Sequence, residues 1–441
     1  MSANTTPSPT ESLPAEGSIV VPAVSVPSTV ACLRSLAPRG VHTIVIAADP
    51  NAMAFASTYC DEAVLVPDPT EDLEGYTSAL LALARREDVR TIVPVREEDA
   101  FVLSSHRETF SKHVATPWPD PETLERVHDR VLLAEAANAA GVPVPETAPL
   151  ESARDWNAPR IVKSRYNLLV EEYVDTVSAG TVEQPNAVEH VGSDTVPDRK
   201  ALRQAFGHDP IVQEFVPIDD EYMVGALYDH GEPVATFQHK QVRGSSYTGG
   251  GGVYRESTYN PALETAALEL LGELEWHGLA CIEYMRHPET GEFYLTEINP
   301  RMWTSLSANV QMGADFPWYY WQLACGRSTE IDPRYRDGVG SHYLKGELMH
   351  FLSLFREESD LIDRPSYRTR LGEILWTCYT DPTFDIFSRD DPWPFVLDFL
   401  QEVEGVSGPL ELATLARRLG RGREPVHWRD VTPPPPQATV V

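Results

Sequence analysis

The sequence predicts a chain in three parts: an α/β N-terminal domain on a parallel sheet, an α+β domain of mostly antiparallel strands, and a mainly helical C-terminal region. Three observations carry this reading. Between residues 18 and 117, short β-branched runs alternate with helical spacing across short links, the pattern of a parallel sheet with right-handed crossovers. Between 211 and 298, strand-like runs are separated by turn signals, Asp229-His230-Gly231 and Glu289-Thr290-Gly291, as antiparallel hairpins require. From 331 onward, aromatic-rich helical spacing dominates. A length of 441 residues also asks for more than one core.

In order, strands are expected over 18–26, 41–48, 63–66 and 91–95, with helices over 30–36 and 76–86 between them. No GxGxxG follows the first strand, so a dinucleotide site has little support. A proline-rich joint at 117–121 leads to a helix over 124–140, stopped by Gly141. The exit Gly141-Val142-Pro143-Val144-Pro145-Glu146-Thr147 is extended. Short strands follow at 159–163 and 211–216, flanking a polar stretch at 178–197 that reads as a loop or insertion. Strands over 221–227 and 233–241, a glycine loop at 249–252, a helix over 261–275, and strands over 279–285 and 293–298 complete the second domain. The expected division is 18–117, 118–330 with a lid at about 158–216, and 331–426. Disordered tails are expected at 1–17 and 427–441.

Composition narrows the function. Asp and Glu number 66 against 36 Lys and Arg, a formal net charge of -30, which disfavours nucleic acid and anionic membrane as partners. The positive charge is nearly all arginine; the lysines are Lys112, Lys163, Lys200, Lys240 and Lys345. An acidic excess with scarce lysine suits a halophilic, salt-rich cytoplasm, where screening removes self-repulsion. The five cysteines form no CxxC pair and read as free thiols. The N-terminus lacks a basic start followed by an apolar run, and no stretch is long and apolar enough to span a bilayer.

Four groups of residues carry chemistry. Glu283 on one strand, and Glu297 and Asn299 on the next, offer hard oxygen ligands that suit Mg²⁺, and Arg301 at the strand end can clamp a phosphoryl or carboxylate group. Lys163 closes an apolar strand and can set its ammonium over a phosphate, with Arg130 as a second cation. The segment Gln213-Glu214-Phe215-Val216 can offer its backbone to a purine edge, and Asp220 or Glu221 just beyond can accept from ribose hydroxyls. Lys240, Arg243 and Arg255 bracket the glycines at 249–252, which can wrap an anion with backbone N–H groups. Taken singly, each group also reads as an ordinary hairpin, edge strand or surface charge.

Their order resembles the ATP-grasp superfamily, most closely its carboxylate–amine ligase and carbamoyl-phosphate-synthase-like members, over about residues 18–330. The GVPVPET exit and the Glu297-Ile298-Asn299-Pro300-Arg301 segment are the most specific pieces. The resemblance implies a lid that closes on ATP and a Mg²⁺ ion, or Mn²⁺ in its place. It assigns Lys163 to phosphate, Glu214 and Val216 to the adenine strand, and Glu221 to ribose. Glu283, Glu297 and Asn299 become metal ligands, and Arg301, helped by Arg255, the anion clamp. It implies activation of a small carboxylate as an acyl phosphate for attack by an amine. A nucleotide-binding regulatory module and a kinase-like use of the fold stay open, as does a homodimer. Two departures stand out. Arg130 replaces the family's usual lysine, and no small-residue phosphate loop is visible between 164 and 213.

The charge makes a direct prediction. The Debye length falls from about 30 Å at 0.01 M salt to about 3 Å at 1 M. The melting temperature should therefore rise steadily from dilute buffer to molar KCl; a flat response would remove the halophilic reading.

Overall fold

The computed structural model describes residues 17–23, 27–185, 188–358, 363–403 and 423–431. The expected tail at 1–17, apart from Gly17, lies outside these residues, as do 24–26 of the first expected strand and 432–441 of the last tail.

The first sheet holds β1 (Ser18–Pro22), β2 (His42–Ala47), β3 (Glu62–Leu65) and β4 (Val89–Ile92), all parallel. β1 and β2 are apolar through nearly their whole length because helices cover both faces. Alternation along the strands divides them between two cores. Val20, Ile44 and Ile46 pack with Tyr76, Leu80 and Leu83 of the helix Leu73–Ala84. Ile19, Val21 and Val45 pack on the other face with Val30, Leu33 and Leu36 of the helix Ser28–Leu36.

A small sheet has the order β5-β8-β6-β7, made of β5 (Thr147–Pro149), β6 (Arg160–Lys163), β7 (Glu189–Val191) and β8 (Ile211–Glu214). The large sheet runs β13-β12-β9-β10-β11-β14 and is antiparallel throughout. Its strands are β9 (Asp220–Asp229), β10 (Glu232–Ser246), β11 (Gly249–Ser257), β12 (Gly278–Arg286), β13 (Phe293–Asn299) and β14 (Gly340–His342). The turn between β9 and β10 takes positive φ at His230 and Gly231, as the Asp-His-Gly signal requires. No separate core serves this sheet. Val224, Ala280 and Ile282 join the first core of the N-terminal domain, and Met223, Leu227, Phe237 and Cys281 join the second.

Four expectations need correction. The helix expected over 124–140 is two helices, Pro121–His128 and Arg130–Ala139. Asp129 between them is extended, and its carboxylate accepts from the Val131 N–H at 2.9 Å, so an internal N-cap ends one helix and starts the next. The glycines at 249–252 are not a loop. They open β11 and pair back onto β10, Gly252 opposite Gly244 and Gly249 opposite Ser246. The stretch 178–197 contains β7, a partner of β6. Residues 427–431, expected as tail, are ordered: β15 (Val426–His427) pairs in parallel with β3, and Trp428 and Val431 pack against the first core.

The C-terminal region is mainly helical, with Leu344–Arg356, Tyr367–Thr380 and Trp393–Val403, but it also supplies β14 and β15. Its first helix grips the β10–β11 hairpin. The Tyr247 N–H donates to Ser353 Oγ at 3.0 Å, Thr248 Oγ1 donates to Glu357 at 2.9 Å, and Arg243 pairs with buried Glu347 at 2.5 Å.

Gly225 in β9 passes directly under the Trp303 indole. A Cβ there would meet ring carbons at 2.5 and 2.7 Å. Gly225→Ala should therefore cost roughly 1–3 kcal/mol through overpacking. A melting temperature equal to wild type would show that the indole can yield.

Candidate functional site

The large sheet floors a cavity of about 430 Å³ that Lys163, at the end of the small sheet, also lines. Alternation decides which side chains enter it. On β12 and β13 the register sets Glu283 opposite Glu297, two strand positions from the Cys281–Asn299 pair. Both carboxylates line the cavity, together with Lys163, Glu221, Arg255 and Arg301. Seven residues bracket one space here, since Arg130 reaches Glu297 at 3.5 Å.

The electrostatics follow from this crowding. The Glu283 carboxyl is open to the cleft water but walled by protein. The low polarity of that wall, together with the charge of Glu297 opposite, pushes its pKa up to about 8, with Arg301 opposing. Asn299 is buried, and its amide donates to Glu297 Oε1 at 3.0 Å, fixing the carboxylate and turning the amide oxygen away from it. Burial pushes the Lys163 ammonium down to about 7; the Arg130 charge adds to the shift and Glu297 opposes it. Burial also lowers the Arg130 guanidinium, against the pull of Glu297. Arg130 donates to the Ser164 carbonyl at 3.0 Å, so it stands beside Lys163 where the chain leaves β6. Glu221 is raised by burial, against a hydrogen bond from the Gln241 amide.

Two carboxylates set face to face, with one carboxyl raised, form a donor set short of positive charge. That is what a hard divalent ion with oxygen ligands supplies, and Glu283, Glu297 and Asn299 fit it.

The remaining expected residues stand elsewhere. Lys240 does not enter the cavity. Its neighbours His239 and Gln241 do, so alternation turns Lys240 to the opposite face, where it pairs with Asp220 at 2.5 Å. Arg255 reaches the cavity wall, but it is buried and donates to Asp385 at 2.7 Å and to the Gly252 carbonyl. Its charge is therefore largely taken up by the C-terminal region. Glu214 faces a separate groove of about 510 Å³, lined also by Val144, Pro145, Glu146 and Tyr294. Val216 is buried just beyond β8. Among the described residues no small-residue turn follows β6. Residues 164–185 instead leave the small sheet, and the N-terminal domain holds them: Leu73 N–H donates to the Gly180 carbonyl at 2.9 Å and Gln184 to Glu98 at 2.8 Å.

Two participants were missed from sequence. His239 is buried in the cavity wall with Nε2 2.9 Å from Ser305 Oγ, and burial drives its pKa down to about 3, so its ring is neutral. Glu97, at the start of the helix that follows β4, holds Arg301 at 2.5 Å. An acid just past the carboxyl end of a parallel strand is a recognisable position for such a role. Nothing local to β10 distinguishes His239.

The sheet order, the separate small sheet and the paired carboxylates fit an ATP-grasp fold. The PylC-like N-terminal domain family matches residues 16–117. The chain superimposes on an N5-carboxyaminoimidazole ribonucleotide synthetase solved with ADP, at 16% identity and a TM-score of 0.57, over 82% of this chain and 96% of that one. It also resembles the biotin carboxylase domain of Hydrogenobacter thermophilus 2-oxoglutarate carboxylase, solved with MgADP, ADP and bicarbonate, at 15% identity and a TM-score of 0.54, over 74% of this chain and 73% of that one. By sequence it is 23% identical over 286 residues to a putative urea carboxylase of Emericella nidulans, which covers 61% of this chain but 22% of that protein. It likewise spans 28% of a Rhizobium etli pyruvate carboxylase chain, at 17% identity and a TM-score of 0.51. No helix among the described residues is long and apolar enough to cross a membrane.

Lys163 gives a pH prediction. Its ammonium titrates near 7, so it is cationic below that pH and increasingly neutral above it. Without divalent metal, the affinity for inorganic triphosphate should fall as pH rises from 6.5 to 8.5. In Lys163→Met the affinity should be weaker and the slope shallower, the remainder coming from Glu283, which loses its proton in the same range. Calorimetric titration reads both, and an unchanged slope in the variant would remove Lys163 from the phosphate site.

Proposed function

We propose that the protein is an ATP-dependent ligase that activates a small carboxylate as an acyl phosphate and passes the acyl group to an amine or similar nucleophile. The observation that carries this reading is the Glu283–Glu297 pair, set opposite each other on a cavity floor that Lys163 and Arg301 also line, with Arg130 paired to Glu297. The ligases among the fold's relatives support it as analogy.

A Mg²⁺ ion on Glu283, Glu297 and Asn299 would neutralise phosphate charge. The chain's own residues do the rest. Lys163 and Arg130 draw the phosphates to one end of the cavity, and Glu221, on β9, accepts from a ribose. Arg301 holds the substrate carboxylate with its oxygen in line with the γ-phosphorus. The carboxylate oxygen attacks, the bond to the β–γ bridging oxygen breaks, and ADP leaves. The amine then adds to the acyl carbon and phosphate departs. Catalysis here is positioning and charge stabilisation. Neutral His239, hydrogen-bonded to Ser305, stands in the same wall and can orient the amine by hydrogen bonding, while the amine's proton leaves with the more basic departing phosphate. Trp303, Met223 and Met285 line the cavity as well and exclude water from the acyl phosphate.

Release of ADP and phosphate should require a divalent metal, an acid and a nucleophile together. Hydroxylamine should replace the amine and yield a hydroxamate. Glu283→Gln and Glu297→Gln should each lower turnover at least about 100-fold, the scale seen when a main electrostatic stabiliser is lost, with circular dichroism unchanged. A panel of small acids and bicarbonate that gives no hydroxamate and no ADP, despite tight ATP binding, would point to a regulatory nucleotide module. A stable phosphate ester as product would point to a kinase.

A further inference from the structure

Arg301 is not held by its own strand. Past β13 its guanidinium crosses to the N-terminal domain, where its Nε donates to Glu97 Oε1 at 2.5 Å and one Nη donates to the Met302 carbonyl at 3.2 Å. The second Nη has neither partner, and Arg301 lines the cavity. One edge of the planar fork is thus fixed while N–H groups remain for a ligand.

The anchor is itself anchored. Glu97 Oε2 lies 3.3 Å from His128 Nε2, and His128 Nδ1 lies 3.3 Å from the Tyr173 hydroxyl. His128 is fully buried at the end of the helix Pro121–His128. Tyr173 sits in the excursion 164–185 and is fixed by its rings: it stacks on Tyr166 at 5.3 Å and meets His128 and Phe101 edge-on at 5.9 and 5.8 Å. The His128 carbonyl also accepts from Asn167 N–H at 3.0 Å. Burial would raise the Glu97 carboxyl, but Arg301 and His128 overcome it and keep the group ionised. One line of contacts therefore runs from the excursion, through the first helix of the second domain and the N-terminal domain, to the anion-facing arginine.

We propose that Glu97 is a positioning residue that aims Arg301 at the anionic group of the substrate, and that His128 and Tyr173 hold Glu97 for this task. This rests on the ligase reading only in taking Arg301 as the anion clamp. Glu97 need not touch substrate. Its carboxylate fixes the Nε edge, so the free edge meets an anion without first losing side-chain freedom. The excursion 164–185 thereby acquires a function: where the family has a phosphate loop, the chain braces the clamp.

The test is calorimetric titration of inorganic phosphate into the full chain, with and without Mg–ADP. With Mg–ADP bound at the Lys163–Arg130 end, Arg301→Gln should abolish phosphate binding. Glu97→Gln should weaken it about tenfold, the scale of one charge-assisted contact, and Glu97→Asp should recover part of the loss. Tyr173→Phe, which keeps the ring stack, should weaken it by a smaller factor. The Mg–ADP dissociation constant should stay within about twofold in the two Glu97 variants and in Tyr173→Phe, which separates aim from collapse of the site. Phosphate affinity unchanged or tighter in Glu97→Gln overturns the proposal, because Glu97 would then only occupy the arginine. So does a wild-type chain that binds Mg–ADP but no phosphate, or a Glu97→Gln variant that loses both ligands together. If phosphate binds with the predicted ranking while Mg–ADP does not bind, the ligase reading fails and the Glu97–Arg301 assignment stands.

Discussion

Two carboxylates placed directly across a strand pair repel each other, and the architecture around the cavity answers that repulsion. Glu283 and Glu297 share a register position on β12 and β13, where like charges are unfavourable unless positive charge is brought in. Each source of it comes from a different part of the chain. Arg130 arrives from the helix after the Asp129 cap, Lys163 from the end of the small sheet, and Arg301 from the turn past β13. None of these cations is placed by the carboxylates alone. Each needs its own element, so the charge balance of the floor ties together segments far apart in sequence.

The packing makes the same demand. The two cores of the N-terminal sheet continue into the large sheet, so the carboxylate floor and the parallel sheet share their apolar faces. The C-terminal helix Leu344–Arg356 holds the β10–β11 hairpin through Glu347, Ser353 and Glu357. Gly250, Gly251 and Gly252 of that hairpin form a cavity wall that lacks side chains of its own, and the C-terminal region sets its position. The small sheet, by contrast, has its own core around Trp156, Val162 and Val212, separate from the other two.

What could be read from sequence follows from how local each feature is. Period-two alternation placed Glu283, Glu297 and Glu221 on their strands, and the register then brought them to one face. The Asp129 break was visible only as an N-cap residue inside an unbroken helical pattern, and the pattern outweighed it. The run of glycines at 249–252 signalled a loop because glycine lacks strand propensity. In the structure these residues pair because Gly244 and Gly252 must pass close to each other: a Cβ on Gly244 would meet the Gly249 carbonyl oxygen at 2.8 Å. Lys240 was grouped with Arg255 by proximity, but a strand turns neighbours to opposite faces. Glu97 and His128 carry no motif. Their meeting with Arg301 and Tyr173 depends on contacts between residues 45 to 204 positions apart, which no local pattern encodes.

β15 gives the fold a closing seam. The two-residue strand Val426–His427 lies along β3, and Trp428 seals the core beside it. The outermost rung of the first-built sheet is thus laid last along the chain. On the ribosome, β3 emerges hundreds of residues before its outer neighbour, and in the interval it presents a row of unpaired backbone groups to any passing strand. Shortening the chain ahead of Val426 would make that interval permanent, so such a truncation invites edge-to-edge association even though it removes nothing from the cavity.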